Sequence, residues 1–459
     1  MPHISSSKDR MNVNPTTLFD DMPISVTQKI VFAICFVLNM FDGMDVVIVS
    51  YSASGIMADL GLRYGQMGLV FSAGLIGMAL GGLVLGFYAD KIGRRKLILG
   101  GLALIATGVF LGGQSQNIQQ LGATRILAGI GIGGLLASVT AMTAEYAPKR
   151  ARNTIVMLIT AGYPLGALTT GLVVAIVMPT FGWRLTMAAA GVLTAAMIPL
   201  CLLLLPESLS FLAGKDKALA VKKINTILGK MHHPLIGSIA SAFYQTHTGI
   251  NVTDLLKSRF RIISIGLWGG LFFTFMTMYY LLSWIPKIAI DSGLSSDKAI
   301  IAGAVFSGGG FLGVWAVGAF ANRYGYIRSI IGYCVIAFMT MIVYSVYRGE
   351  LILVLLIAMI MGFTVQGAVG AFYGAAAKVY PAHMKSTGIG WTIGVGRMGA
   401  IAGPFLGGYL LAMDLKLVVN FAIFGAIMLI AAIIIYPLRY YVDEDMFGHA
   451  ATTKPDNPD

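Results

Sequence analysis

Two aspartates, Asp42 and Asp45, stand inside one long apolar stretch near the N-terminus, and two arginines, Arg125 and Arg397, each interrupt another. An ionisable side chain in such surroundings is expensive and marks function by default. Burial favours a neutral carboxyl, whereas a nearby guanidinium favours the carboxylate. A carboxyl whose arginine partner and hydration change can therefore load and release a proton. Asp42 and Asp45 are three residues apart, so a helix puts them on roughly one face, about 4.5 Å apart along its axis. Of the 20 acids, only these two lie deep in an apolar run; Glu145 stands at the end of one, and Asp90, Glu207 and Asp414 fall at edges or in loops. The six histidines all fall in polar segments, which disfavours a histidine relay. The plainer alternative for either aspartate is a fixed ion pair that fastens two helices.

These residues need elements that cross a membrane. Of 459 residues, 57% are hydrophobic and 11% charged, against about 45–50% apolar and 25% charged in a soluble domain. A crossing helix needs about 20 apolar residues, and twelve such runs are legible: 30–54, 65–89, 96–113, 119–144, 153–179, 183–205, 261–285, 297–320, 329–347, 351–377, 386–412 and 416–437. With both termini cytoplasmic, 24 of the 32 Lys and Arg fall on the cytoplasmic side and six opposite, Arg125 and Arg397 lying within spans. That bias follows the positive-inside rule, so the net charge of +12 reads as topology and not as a nucleic-acid surface. The layout is a tail 1–29, a six-span bundle 30–205, a cytoplasmic linker 206–260, a second bundle 261–437 and a tail 438–459. The fold class is all-α, with twelve helices in two pseudo-symmetric six-helix bundles. Cys35, Cys201 and Cys334 are spread over separate apolar runs and read as packing residues; no metal spacing or cofactor motif is present. No GxxxxGK[ST] loop supplies ATP energy, and no nucleophile–base pair suggests an enzyme. The N-terminus lacks the pattern of a signal peptide.

The chain repeats at an offset of 232: Gly86 to Lys96 aligns with Gly318 to Arg328, both after the second span of a half. Two matched halves are the arrangement expected for alternating access. Here the sequence resembles the major facilitator superfamily. Gly86-Phe-Tyr-Ala-Asp90-Lys91-Ile-Gly93-Arg94-Arg95-Lys96 is similar to its loop between helices two and three. Arg125-x-x-x-Gly129-x-Gly131-x-Gly133-Gly134 is similar to its helix-four motif, and Pro206-Glu207-Ser208 to its helix-six ending. Asn322 departs from the acid that the second loop would favour. Within that superfamily, Phe41-Asp42-Gly43-Met44-Asp45 and Gly396-Arg397-Met-Gly399-Ala-Ile-Ala-Gly403-Pro404 resemble the aromatic acid:proton symporters.

The resemblance implies a proton-coupled importer of an aromatic carboxylate such as benzoate or a hydroxybenzoate, in the bacterial inner membrane and monomeric, with the bilayer, protons and the small acid as partners. A muconate-like acid, a sugar-like solute or a transporter-like receptor are the alternatives. At 1.5 Å per residue, Asp45 lies about 22 Å from the cytoplasmic end of its span and Arg125 about 28 Å, a gap that a long side chain closes. Asp45 is expected to be the main proton site, modulated by Arg125 and assisted by Asp42. Arg397, near mid-depth, is expected to read the substrate carboxylate, with a structural cap between helices as its alternative. Asn39, Tyr279, Tyr280, Trp284, Phe306, Gln366, Tyr373 and Trp391 are expected to line the pocket, where aromatic faces would stack on a ring. Asp90, and Arg94 with Glu145, are expected to gate the cytoplasmic side.

Overall fold

The computed structural model describes residues 18–20, 22–214, 217–231, 233–238, 252–347, 349–381 and 384–443. The helices are α1 (Val26–Leu60), α2 (Tyr64–Ile92), α3 (Arg94–Gly113), α4 (Ile118–Tyr146), α5 (Arg152–Thr160), α6 (Gly162–Leu204), α7 (Leu209–Ala213), α8 (Lys217–Lys230), α9 (Val252–Leu255), α10 (Ser258–Asp291), α11 (Ser296–Tyr324), α12 (Tyr326–Val346), α13 (Leu351–Val379), α14 (Lys385–Ala412), α15 (Leu417–Ile435) and α16 (Arg439–Val442). Each of the twelve expected crossings falls on helix. The fifth begins in α5 and continues into α6. The break follows from Pro164, which has no N–H to offer the Thr160 carbonyl. The sixth is the part of α6 beyond Gly182, whose φ of 73° and ψ of 171° interrupt the helix. Among the described residues, ten helical runs are long and apolar enough to cross a membrane. The fifth and sixth crossings share one run, Thr154–Leu204, and glycine-rich α14 is not among the ten.

The chain divides into two compact units that do not follow the order of the spans. The first comprises Met1–Val46, Ile76–Gly166 and Trp183–Thr248; the second comprises Val47–Leu75, Ala167–Gly182 and Gly249–Asp459.

Each unit is built on glycine seams. In the first, a Cβ on Gly77 or Gly81 of α2 would lie 2.3 Å from the Ile126 carbonyl oxygen or 2.1 Å from that of Ile130 on α4. In the second, a Cβ on Gly309 or Gly313 of α11 would lie 1.9 Å from the Met359 carbonyl oxygen or 2.1 Å from that of Phe363 on α13. Gly77 and Gly81 match Gly309 and Gly313 at the offset of 232, so the repeat in sequence is a repeat of backbone contact. A second pair of seams has the same form. Gly162 and Gly166 meet the Phe36 and Met40 carbonyls of α1, and on α14 Gly399 and Gly403 meet the Phe272 and Met276 carbonyls of α10. Small residues allow this approach, which is how helices associate in lipid without a hydrophobic drive.

Candidate functional site

In the first unit α1 carries Asn39, Asp42 and Asp45, which are only 5%, 4% and 3% exposed. Arg125 on α4 is 3% exposed, and its Nη2 donates to both Asp45 oxygens at 2.6 Å. The depth estimate thus brought together two residues 80 positions apart that are in contact. Arg125 Nη1 is buried with no hydrogen-bond partner among the described residues. Asp42, Asp45 and Arg125 thus place two carboxyl groups and a guanidinium among the buried side chains of this unit. The repeat does not reproduce the set. At the seam offset of 236 the counterparts of Asp42 and Asp45 are Met278 and Leu281, and at 232 that of Arg125 is Ile357.

A second polar cluster lies at the linker end of the same unit. Arg94 pairs with Glu145 through Nη1 and Oε1, as expected from sequence. Glu145 Oε2 accepts from Ser208 Oγ at 2.7 Å. Glu207 Oε1 accepts from the backbone N–H of Arg95 at 2.9 Å, so an acid from after the sixth crossing closes the first turn of α3. Gly93 precedes that turn at φ 102°, where a Cβ would lie 2.6 Å from Glu207 Oε2. The second unit repeats the device with Asp443, which accepts from the Ile327 and Arg328 N–H groups at 3.3 and 3.2 Å. There Gly325 at φ 89° leaves room for the carboxylate. The Arg94–Glu145 pair has no such copy; Tyr326 stands at the position matching Arg94. The side chain of Asp90 lies outside those the structure describes, as do His3, His232, His247, His383 and His449. Sequence reading missed the capping roles of Glu207 and Asp443. The available signal was an acid shortly after the last span of each half.

The expected pocket residues from the C-terminal half lie in the second unit. Tyr279 and Tyr373 each set an edge against Phe275, at 5.6 and 6.4 Å between ring centres. A Cβ on Gly396 would come 3.1 Å from Phe275, which puts the backbone next to Arg397 against this aromatic group. Arg397 itself is half-buried. Phe275 was missed because one phenylalanine among many on an apolar helix carries no distinguishing pattern. Gln366 is 3% exposed, and its Nε2 has no partner among the described residues. The remaining residues are spread out. Tyr280 stacks on Phe424 at 3.6 Å, and Trp284 donates Nε1 to the Pro404 carbonyl at 3.0 Å. Phe306 is buried, its backbone carbonyl packed against Gly362, while Trp391 is 45% exposed and stacks on Trp268. Among the described residues no three His, Cys, Asp or Glu side chains gather as a metal site, and the three cysteines are free and buried.

The profile of the Major Facilitator Superfamily matches residues 33–396. The gallate transporter of Pseudomonas putida is 30% identical over 411 residues, covering 88% of this chain and 90% of that protein. The benzoate transport protein of Acinetobacter baylyi is 30% identical over 416 residues and 89% of each chain. The 4-hydroxybenzoate transporter of Pseudomonas aeruginosa is 29% identical, covering 92% and 95%. Among solved structures, the partially occluded inward open conformation of the E. coli xylose transporter XylE superposes with a TM-score of 0.69 at 17% identity, covering 90% of this chain and 98% of that one. The buried acids of α1, the duplicated glycine seams and these relatives agree: the chain is a multi-pass membrane transporter, not an enzyme, and belongs to the Major Facilitator Superfamily, among its aromatic acid transporters.

Proposed function

We propose that this protein is a proton-coupled symporter that imports an aromatic carboxylate across the bacterial inner membrane, as a monomer with both termini cytoplasmic. The observation that carries the reading is the buried ion pair in which Arg125 holds both oxygens of Asp45, with Asp42 one turn away on the same helix. The relatives named for gallate, benzoate and 4-hydroxybenzoate support the cargo class. While the guanidinium grips Asp45, the carboxylate is the favoured form; when the grip loosens in an apolar interior, the neutral acid is favoured. Alternating access supplies that change by moving one bundle, 30–205, against the other, 261–437, with 206–260 as the link and 1–29 and 438–459 as tails.

Arg397 reads the substrate carboxylate, because a guanidinium binds it with two parallel hydrogen bonds and stays charged when buried. Tyr279 and Tyr373, grouped on Phe275, offer aromatic edges and faces to the ring, and Gln366 offers a free amide donor to a ring substituent. Asn39, Tyr280, Trp284, Phe306 and Trp391 complete the proposed lining. Arg94, Glu145 and Asp90 form the inner gate.

The test is uptake of labelled benzoate, gallate and 4-hydroxybenzoate into proteoliposomes carrying an inward proton gradient. One pH unit supplies about 1.4 kcal/mol per proton, enough for roughly tenfold accumulation at one proton per substrate. Collapse of the gradient abolishes accumulation and leaves exchange. Uptake of these acids that is indifferent to the gradient overturns the proposal.

A further inference from the structure

Both halves of the chain contribute to the second unit: residues 47–75, the adjoining ends of α1 and α2, pack with 249–459. These ends lie away from the linker, which is the outer side on the proposed orientation. Their contacts with the second half are polar as well as apolar. The Tyr64 hydroxyl donates to Asp291 Oδ2 at 2.8 Å, and the Ser72 hydroxyl to the Ile401 carbonyl at 2.8 Å. Phe71 sets an edge against Trp284 at 5.2 Å between ring centres. A Cβ on Gly68 would lie 2.8 Å from the Pro404 carbonyl oxygen, so α2 and α14 meet backbone to backbone.

One contact differs from the rest because it answers a defect. Pro286 lies inside α10. Proline has no N–H, so the carbonyl four residues earlier, that of Leu282, loses its helical donor. Leu282 is 5% exposed, and a buried carbonyl without a donor is costly. The donor comes from the other half of the chain. The Ser50 hydroxyl on α1, 1% exposed, stands 2.7 Å from the Leu282 carbonyl oxygen and 2.7 Å from that of Ser283. Helices α1 and α10 correspond at the offset of 236, where Ser50 matches Pro286 itself. The proline stands on one copy of the repeat and its remedy at the equivalent place on the other. Most hydroxyls on these helices act differently. Ser138, Thr194 and Thr274 donate to the carbonyl four residues back on their own helix, so their bonds survive any motion of whole helices. The Ser50 bond does not.

We propose that Ser50 is a positioning residue that holds this side of the carrier closed by capping the carbonyl that Pro286 frees. Opening this side in alternating access draws α1 away from α10. Water then reaches Leu282 and replaces Ser50 as donor. The hydroxyl therefore stabilises one state and not the other, which is the condition for biasing a conformational equilibrium. The inference rests on alternating access, but on neither the proton site nor the cargo.

The test is the rate at which a hydrophilic maleimide labels position 283 in purified full-length Ser283→Cys, read by peptide mass. Ser283 is 6% exposed, and the change of hydroxyl to thiol leaves its carbonyl in place. Where opening outpaces labelling, the rate tracks the open population. Native Cys334 on α12, buried in the same unit, controls for general loosening. Ser50→Ala leaves the Leu282 carbonyl bare in the closed state alone, and raises labelling at 283 about tenfold while Cys334 stays unlabelled. Pro286→Ala restores the missing N–H, so adding Ser50→Ala to it changes the rate less than about twofold. Unchanged labelling in Ser50→Ala, an equal rise in the Pro286→Ala background, or labelling of Cys334 along with position 283 overturns the proposal. Proton-driven uptake by the wild type reports on the symporter reading independently.

Discussion

Replacing Arg125 with leucine removes the one cation shown in contact with Asp45, and the three buried groups make the outcome calculable. Asp42, Asp45 and Arg125 are each under 5% exposed. Nη2 stands 2.6 Å from both Asp45 oxygens, and at an effective dielectric of about 20 unit charges at that distance attract by roughly 6 kcal/mol. Desolvation offsets much of this, and breaking a buried pair by removing one partner costs about 3–5 kcal/mol. Arg125→Leu leaves two buried carboxylates without that guanidinium and bears the whole cost. Asp45→Asn keeps an acceptor for Arg125, so its cost is taken as the weakening of a charged hydrogen bond, about 1.5–3 kcal/mol. The double variant returns to a single buried carboxylate and recovers at least about 1 kcal/mol relative to Arg125→Leu through coupling between contacting residues. Melting midpoints of the purified proteins therefore order as Asp45→Asn, then the double variant, then Arg125→Leu as the least stable. In proteoliposomes Asp45→Asn exchanges substrate but does not concentrate it. Arg125→Leu as stable as Asp45→Asn, or full proton-driven accumulation by Asp45→Asn, refutes the reasoning.

Arg397→Lys is expected to weaken substrate affinity about tenfold or more, because an ammonium cannot make the two-bond fork; unchanged affinity in a binding assay argues against carboxylate recognition there. Asp443→Ala leaves the first turn of α12 uncapped and costs about 1–2 kcal/mol, read as a lower melting midpoint, whereas Asp443→Asn keeps an acceptor and loses less. Burial holds the His233 imidazole below the ordinary histidine range. The unfolded segment then binds a proton that the folded one does not, so the contact is fully present above about pH 6.5 and weakens as pH falls below it. The His233 ring lies 5.8 Å from that of Phe19, which stacks on Tyr146. Proteolysis near Phe19 is expected to speed up between about pH 7.5 and pH 5.5, and His233→Gln to flatten that dependence.

The ion pair of Asp45 and Arg125 was legible because helix rise alone sets depth, and two charges at matching depth in apolar runs have few other partners. The crossings were legible for a similar reason: their length is fixed by the bilayer. Pocket residues were harder to place. These helices are apolar on every face, so periodicity could not tell that Trp391 is exposed or that Tyr280 is spent on Phe424. The capping acids escaped because the repeat was read at an offset of 232, whereas Glu207 and Asp443 are 236 apart. The seams of Gly162 and Gly166 with α1, matched by Gly399 and Gly403 with α10, drift by the same four or five residues. Packing preserves a correspondence that loop length hides from a fixed offset.

Anyone wishing to retune this carrier to a bulkier or slimmer cargo meets two kinds of glycine on α14. At Gly399 and Gly403 even one methyl group would strike a carbonyl oxygen at 1.9 and 2.1 Å, so those sites have no slack. At Gly394, one turn before Arg397, an added Cβ meets nothing within 4 Å among the described residues. Alanine, valine or leucine there forms a graded series of added bulk one turn before the arginine, which on the proposed carboxylate-reading role of Arg397 gives a way to vary the accommodated ring size without touching a charged group.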